Sequence, residues 1–294
     1  MKTEIYNLKF LTPCFCGGAD PSIAELRPSA IRGQLRWWFR AIGGTREEET
    51  EIFGGAEKEK GRASAVIVRA SILKNTGNKD WSKVLNESKN INLTYLLIFF
   101  CKDSRERRGR LHNEGAIPPE TQFDVTLIYR REIPDHLREK FELALRAFFS
   151  IGAIGYRATR TAGAFTYREP SKQLTSKTWE NLQSDLEMRG FKLLLYPSPF
   201  NKWIDLCNKA GDFLKNKLRG SLNIKAGQGG KIPNILGCSD PRQASVLHLR
   251  PTIIDGRLRL LLIEAPHARI IGKEVTNKSR SKGQIIPSLK RQLI

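Results

Sequence analysis

The sequence predicts an α+β fold of two domains, on three observations. The chain has 294 residues, about twice the length of a typical domain. Segments with the apolar alternation of strands are interspersed with segments whose apolar residues recur at helical spacing. The composition, 40% hydrophobic and 27% charged, is that of a globular protein and excludes fibrous repeats and wholesale disorder.

Strands and helices alternate in the first half of the chain. Residues 4–12 form a strand that Pro13 ends, and a helix opens at Pro28 and stops at Gly43–Gly44. The order strand, helix, strand, strand, helix, strand is typical of ferredoxin-like and RNA-recognition folds, with one added hairpin strand at 122–130. The other elements of that order are strands at 63–73, 93–100 and 163–168 and a helix from Pro134 to Gly152.

The second half is compatible with a repeat of the same pattern. The polar stretch 169–181 marks the boundary and divides the chain into domains 1–168 and 169–294. The elements of the second domain are strands at 191–196, 246–250 and 257–264 and a helix at 201–218.

Four further segments are expected to lack regular structure. Residues 45–61 are acidic and are predicted to form an exposed connection. The basic stretch 102–112 is predicted to form a solvated loop. The glycines within 223–239 predict a mobile loop. The basic tail from Ala268 is expected to remain unfolded until it binds a partner.

The charge balance points to a polyanionic partner. Fifty basic and 30 acidic side chains leave a net charge of +20. Phosphates spaced along a nucleic acid can engage many Lys and Arg side chains together, and the release of counterions favours the complex. The alternative is a charge that serves solubility or a thermophile's surface. Nucleic acid, RNA or DNA, is therefore the favoured partner.

The sequence predicts a cytoplasmic protein without metal or cofactor. The longest apolar run, 93–101, is about half of the ~20 residues that a membrane helix needs, and charges within the first 15 residues argue against a signal peptide. The five cysteines are an odd number in a long chain, which favours reduced thiols. Only Cys14 and Cys16 are close together, without a second pair that would complete a zinc site.

The predicted helix 28–42 carries the first candidate binding surface. Arg32, Arg36 and Arg40 are spaced i, i+4, i+8, so their guanidinium groups form a ladder beside the apolar stripe. The ladder suits a phosphate backbone, or else pairs with acids such as Glu47 or Glu51. Trp37 falls on the polar flank, where it stacks on a base or packs on a protein partner.

A glycine-rich segment, 152–163, is the second candidate. Its glycines, Gly155 among them, let backbone amides approach an anion, while Arg157 and Arg160 supply charge and Tyr156 a stacking face. The alternative is a helix C-cap followed by an ordinary loop. The two arginines among so many small residues favour contact with phosphate.

The third candidate segment is 239–251. In a strand, His248 and Arg250 share one face, so a polar edge is expected to point away from the core, near Arg242. His248 is either a base or a hydrogen-bonding surface residue. No histidine lies in a metalloprotease or triad motif, and the sequence contains no phosphate-binding P-loop, so its motifs do not indicate catalysis.

Several of these segments resemble a known family. Residues 11–21 and 25–40 resemble the opening of the first subunits of Cmr complexes, a family of the RAMP superfamily in type III-B CRISPR effectors. The likeness continues in order to about residue 251, although Thr161 and Ala162 stand where the family's loop has Gly and an aromatic residue. The matching segments are Ile52-Phe53-Gly54, Gly61-Arg62, 152–163 and 242–245.

The resemblance implies two tandem ferredoxin-like, RNA-recognition-motif-like domains with an RNA-binding cleft between them. It implies a non-catalytic ribonucleoprotein subunit in antiviral defence, which contacts single-stranded guide and target RNA near the guide 3′ end and binds other Cmr subunits. Some RAMP relatives are endoribonucleases, and by this resemblance Asp20 is the candidate catalytic residue, unless it is a turn residue before Pro21. The third possible function is that of a protein that only bridges other proteins and has no affinity for RNA.

Overall fold

The computed structural model describes residues 2–18, 24–57, 60–74, 96–97, 116–221, 236–239, 242–272, 285–287 and 289. Asp20, the stretch 102–112 and most of 223–239 lie outside the described residues. So does most of the predicted strand 93–100, but its described residues Leu96 and Leu97 are buried and helical. The strand prediction is wrong there, because a short continuous apolar run fits a buried helix equally well.

The described elements include most of the predicted ones, and they add helices at Arg46–Phe53 and Ser176–Met188 that the sequence pattern did not predict. The strands are β1 (Lys2–Phe10), β2 (Gly55–Glu57), β3 (Lys60–Arg62), β4 (Val66–Lys74), β5 (Gln122–Tyr129), β6 (Phe165–Tyr167), β7 (Lys192–Leu195), β8 (Cys238–Ser239), β9 (Arg242–Gln243), β10 (Leu247–Ile254) and β11 (Arg257–Glu264). The helices are α1 (Pro28–Ile42), α2 (Arg46–Phe53), α3 (Asp135–Ile151), α4 (Ser176–Met188), α5 (Trp203–Asp212), which continues as a π-helix (Phe213–Ser221), and α6 (His267–Ile270), with a 3-10 turn at Pro170–Lys172.

The first sheet is four-stranded and antiparallel, in the order β4-β5-β1-β6. The interpretation of 122–130 as an added hairpin strand is wrong, because β5 pairs with both β1 and β4 at the centre of the sheet. Its alternation explains this position: Phe123, Val125 and Leu127 are buried beneath the helices. Helices α1 and α3 cover this face, and α1 ends as predicted at Gly43, whose φ of 117° suits glycine.

The acidic stretch 45–61 is not an exposed connection. Thr45 and Glu48 form a capping box that opens α2, and Ile52 and Phe53 on this helix join the core. Glu49, on the same helix, is buried as well. The three consecutive glutamates suggested a solvated loop, but the pattern Thr-x-x-Glu before two apolar residues indicates the start of a helix.

The second half contains a three-stranded antiparallel sheet in the order β10-β11-β7. Leu261 and Ile263 on one face of β11 share a core with α4 and with the first half of the chain. Leu260 and Leu262 on the other face share a second core with α5. The two halves therefore pack against each other. Among the described residues, no helix is long and apolar enough to cross a membrane.

Part of the basic tail is folded, against expectation. Ile285, Ile286 and Leu289 are helical and buried in the second core. The buried carboxylate of Glu264 accepts hydrogen bonds from the backbone N–H groups of Ile285 and Ile286, at 2.8 and 2.9 Å, and from His267 Nε2 at 2.7 Å. Three apolar residues at helical spacing outweigh the surrounding basic residues, because burying them removes apolar area from water.

Replacing Glu264 by leucine should detach this segment. The side chain keeps its approximate volume, but two buried N–H groups lose their acceptor, at ~1–3 kcal/mol each. We expect the free energy of unfolding, measured in urea, to fall by at least ~2 kcal/mol and limited proteolysis to cleave within the tail. Glu180→Leu, at an exposed position of α4, is the control. Equal stability of the two variants would contradict a role for Glu264 in holding the tail.

Candidate nucleic-acid interface

Two of the three predicted ladder arginines lie at the surface of α1. Arg36 Nε donates to Glu49 Oε1, and Arg40 Nε lies 3.3 Å from Glu49 Oε2. The side chains of Arg36 and Arg40 are 38% and 52% exposed, whereas that of Glu49 is 3% exposed. The predicted pairing of these arginines with Glu47 or Glu51 is wrong, because Glu49 is the carboxylate that both arginines contact.

The pairing through Nε has a geometric consequence. Each guanidinium of Arg36 and Arg40 keeps its two Nη groups, for which the described residues provide no hydrogen-bond partner. The third arginine, Arg32, instead donates to the backbone oxygen of Phe53 and helps to hold α2. One buried carboxylate therefore orients two exposed guanidinium groups side by side, an arrangement that suits phosphate oxygens.

Trp37 is not the exposed indole that the helical projection predicted. Its ring centre lies 5.1 Å from that of Trp38 in an edge-on contact and 4.7 Å from the ring of His248 on β10. The helical projection of α1 could not show this, because the covering residue comes from the second half of the chain. Trp37 thus lies at the junction between the two halves.

His248 and Arg250 do not form a polar edge facing solvent. They are 3% and 1% exposed, because β10 is covered on both faces. His248 Nε2 donates to Ser245 O at 3.2 Å, and its Nδ1 accepts from Arg250 Nη2 at 3.0 Å. Burial, followed by the charge of Arg250, lowers the pKa of His248 to about 3. Both ring nitrogens are engaged, so this histidine is not placed to act as a general base.

The glycine-rich segment docks on β10. Leu249 N donates to Thr159 O at 3.1 Å, and Thr161 N donates to Leu249 O at 3.0 Å. Arg250 Nη1 also donates to the backbone oxygen of Ala158. These bonds tie the loop of the first half to a strand of the second half, and they place the backbone of the loop beside Arg250.

The glycines of this segment allow its backbone to pack closely against other backbone segments. Gly155 has φ 88°, and a Cβ there would lie 2.6 Å from Phe15 O. Gly163 has φ 63°, and a Cβ there would lie 1.8 Å from Ile154 O. Both positions therefore require glycine for backbone packing. Gly152 caps α3, as the alternative interpretation of the segment expected.

Positive charge accumulates where the loop meets β10. Burial lowers the pKa of Arg250 to about 9, and burial together with the charge of Arg157 lowers that of Arg160 to about 10. Among the described residues, no carboxylate pairs with Arg160 or Arg250, and Arg250 Nε has no hydrogen-bond partner. In the described part of the chain, the Arg160 side chain donates one hydrogen bond, from Nη2 to the backbone oxygen of Leu236 at 3.4 Å. Buried charges of one sign destabilise one another until an anion neutralises them.

Of two further predicted residues, one lies beside this cluster and the other lies in a short strand. Tyr156 is 39% exposed, and the guanidinium of Arg157 lies 5.6 Å from its ring centre. Arg242 lies in β9, where its backbone pairs with Ser239. The described part of the chain contains no group of three His, Cys, Asp or Glu side chains that could hold a metal ion, and its cysteines are free thiols.

Comparison with known proteins identifies similar chains. The family model of the RAMP superfamily matches residues 7–166. The CRISPR system Cmr subunit Cmr1-2 of Pyrococcus furiosus is 28% identical over 180 residues, which cover 56% of this chain and 94% of that protein. The Cmr subunit Cmr1-1 of the same organism is 29% identical over 160 residues, which cover 51% of this chain and 43% of that protein.

Solved structures show the same fold. The crystal structure of apo Cmr1 from Pyrococcus furiosus matches with a TM-score of 0.62 at 18% identity, over 90% of this chain and 88% of that chain. A chain of the type III-B Cmr-β complex bound to cognate target RNA matches with a TM-score of 0.54 at 13% identity, over 93% of this chain and 98% of that chain. The α+β architecture is therefore shared with these proteins.

Proposed function

Because the chain belongs to the RAMP superfamily, we propose that it is a non-catalytic RNA-binding subunit of a type III-B CRISPR effector. Two similar proteins are named as Cmr subunits, and a structurally similar chain comes from a Cmr complex with target RNA. In this proposal the chain works inside a ribonucleoprotein for antiviral defence, bound to other Cmr subunits. It holds single-stranded guide or target RNA near the guide 3′ end.

The observation that carries the proposal is the positive charge at the junction of the halves. Burial and the charges of Arg250 and Arg160 lower the pKa of His248 there, and neither arginine has a carboxylate partner among the described residues. Trp37 links this cluster to α1, where Arg36 and Arg40 present their Nη groups. An RNA strand that follows this path would contact the exposed arginines of α1 and the exposed face of Tyr156, while the buried Arg250 would contribute only to the positive field.

The domain arrangement is part of the proposal. The first sheet supports a ferredoxin-like domain over 1–168, because its strand order places the last strand beside the first. The second domain, 169–294, is proposed as a partner of the same type, with β10 at its edge beside the loop. The RNA-binding cleft then lies between the two domains, along the junction.

The test is a binding and cleavage experiment on the purified chain. End-labelled single-stranded RNA and the matched duplex are incubated with Mg²⁺ or with EDTA and resolved on native and denaturing gels. We expect an intact, retarded single strand whose affinity falls steeply with salt. The double variant Arg157→Gln/Arg160→Gln should lower the salt slope by ~1.4, at ~0.7 per phosphate, while Arg138→Gln/Arg146→Gln leaves it unchanged.

Two outcomes would contradict the proposal. Discrete cleavage products that disappear in Asp20→Ala would make the chain a nuclease. Equal retardation by the two double variants would mean that general surface charge, rather than the junction, binds RNA. Thermal unfolding of each variant is measured in parallel, because Arg157 and Arg160 are partly buried and their loss also affects the fold.

A further inference from the structure

A groove of about 750 Å³ lies between the end of β1 and the turn that joins β10 to β11. The first half of the chain contributes Lys9, Leu11 and Glu120 to its wall. The second half contributes residues 199–204, which lead into α5, and the residues on both sides of the turn. The groove is therefore lined by both halves of the chain.

The groove is separate from the cluster at His248. Ile253, in its wall, follows His248 by five residues along β10, a separation of about 17 Å in an extended strand. The described wall contains none of the arginines of α1 or of the glycine-rich segment. A single phosphate group cannot reach both places, so the groove is a surface of its own.

The charges in the wall favour an anionic ligand. Lys9 Nζ donates to Glu120 Oε2 at 2.9 Å, so these two charges offset each other. Lys202 and Arg257 are exposed, and neither side chain has a hydrogen bond or ion pair among the described residues. Asp255, two residues before Arg257, lies outside the wall and accepts two hydrogen bonds from the first residue of α4. The wall therefore carries two positive charges in excess.

Aromatic side chains line the same groove. Phe200 and Trp203 both belong to the wall, and both are half-buried. Phe200 N donates to Leu258 O at 2.8 Å, and Arg259 Nη2 donates to two backbone oxygens of the preceding loop at 2.9 and 3.0 Å. These bonds fix the loop to β11, so the position of Phe200 is set before a ligand binds. Fixed aromatic side chains beside cations are typical of surfaces that bind single-stranded nucleic acid.

The remaining polar groups favour a nucleotide over an acidic peptide. Glu120 Oε1 has no hydrogen-bond partner among the described residues, and the exposed amide of Asn201 lies in the same wall. The exocyclic amino groups of bases can donate to such a carboxylate. The acidic side chains of a peptide offer it no donor. The wall thus has groups for the phosphate, the face and the edge of a nucleotide.

We propose that this groove is a second contact site for single-stranded RNA, in which a base stacks on Phe200 and the adjoining phosphates bind Lys202 and Arg257. The inference rests on the proposed function, because it extends the path of the same strand beyond the junction of the halves. A strand that reaches both sites is held more tightly than one that fills either site alone, because the second contact forms within the complex.

The first test measures the fluorescence anisotropy of labelled oligocytidine, long enough to span both sites, over a range of salt concentrations. Lys202→Gln/Arg257→Gln should lower the slope of log affinity against log salt by ~1.4, because two phosphate contacts are lost. Arg69→Gln/Lys177→Gln removes the same two residue types from exposed positions on β4 and α4, and it should leave the slope unchanged. Equal slopes for these two variants would overturn the inference.

The second test concerns the aromatic face. Phe200→Leu keeps an apolar side chain but removes the ring, so affinity for oligocytidine should fall at least ~5-fold with an unchanged salt slope. Phe200→Tyr keeps the ring and should bind like the native chain. Unfolding of each variant by urea is measured in parallel. Native affinity in Phe200→Leu, or equal weakening in both variants, would count against stacking in the groove.

The outcomes separate this inference from the proposed function. If Arg157→Gln/Arg160→Gln weakens RNA binding and Lys202→Gln/Arg257→Gln does not, the RNA-binding subunit stands and the groove is excluded as a site. Absence of RNA binding by the native chain would overturn both. A glutamate–tyrosine peptide that binds more tightly than oligocytidine, and that Lys202→Gln/Arg257→Gln weakens, would make an acidic polypeptide the occupant instead.

Discussion

Replacing Arg36 and Arg40 by glutamine is expected to weaken the binding of single-stranded RNA by ~100-fold, whatever its sequence. Each guanidinium presents two Nη groups, and each charge-assisted contact with a phosphate contributes ~1.5–3 kcal/mol. The slope of log affinity against log salt should fall by ~1.4, because two phosphate contacts are lost. Fluorescence anisotropy with labelled RNA over a range of salt concentrations measures both quantities.

This double variant also leaves Glu49 buried without a cation. A buried carboxylate that has lost its partners costs ~3–5 kcal/mol, so the double variant should unfold more easily than the native chain. Adding Glu49→Gln should restore much of the stability while RNA binding stays weak. That comparison separates the loss of contacts from the loss of the fold.

A matched charge control is available on other helices. Arg146→Gln/Arg189→Gln removes the same net charge from α3 and from the end of α4, where these arginines pair with Asp185 and Glu139. RNA affinity should change little in this variant. Equal weakening by the two double variants would show that α1 contributes only bulk charge.

The second large effect concerns stability in acid. Folded His248 has a pKa of about 3, below the usual value of 6.5, because it is buried beside Arg250. Between these two values the unfolded chain binds a proton that the folded chain does not. The free energy of unfolding should therefore decrease as the pH falls through this window, by up to ~1.4 kcal/mol per pH unit from this group.

Urea unfolding at a series of pH values measures the effect. His248→Gln keeps a donor for Ser245 O and an acceptor for Arg250, but it does not titrate, so its stability should depend less on pH below 6.5. His136→Gln, at an exposed position of α3, is the control. Identical pH profiles for the native chain and His248→Gln would contradict the burial of a neutral imidazole at the junction.

The fold was largely readable from local patterns, and its exceptions have local causes. The limits of α1 and α3 follow from their proline starts, glycine stops and helical apolar spacing. The central position of β5 in the sheet could not be predicted from local patterns, because strand order depends on which surfaces pack together. The burial of Ile285 and Leu289 was hidden by the basic residues around them.

The candidate site likewise has features that the sequence predicted and features that only the tertiary structure shows. The sequence alone pointed to a basic chain, to Arg36 and Arg40 on one helix and to Arg157 and Arg160 in one loop, because charge and spacing are local properties. Only the tertiary structure decided that Glu49 orients the first pair and that His248 and Arg250 are buried at the junction. Burial and pairing depend on residues distant in the chain, which meet only when the two halves pack.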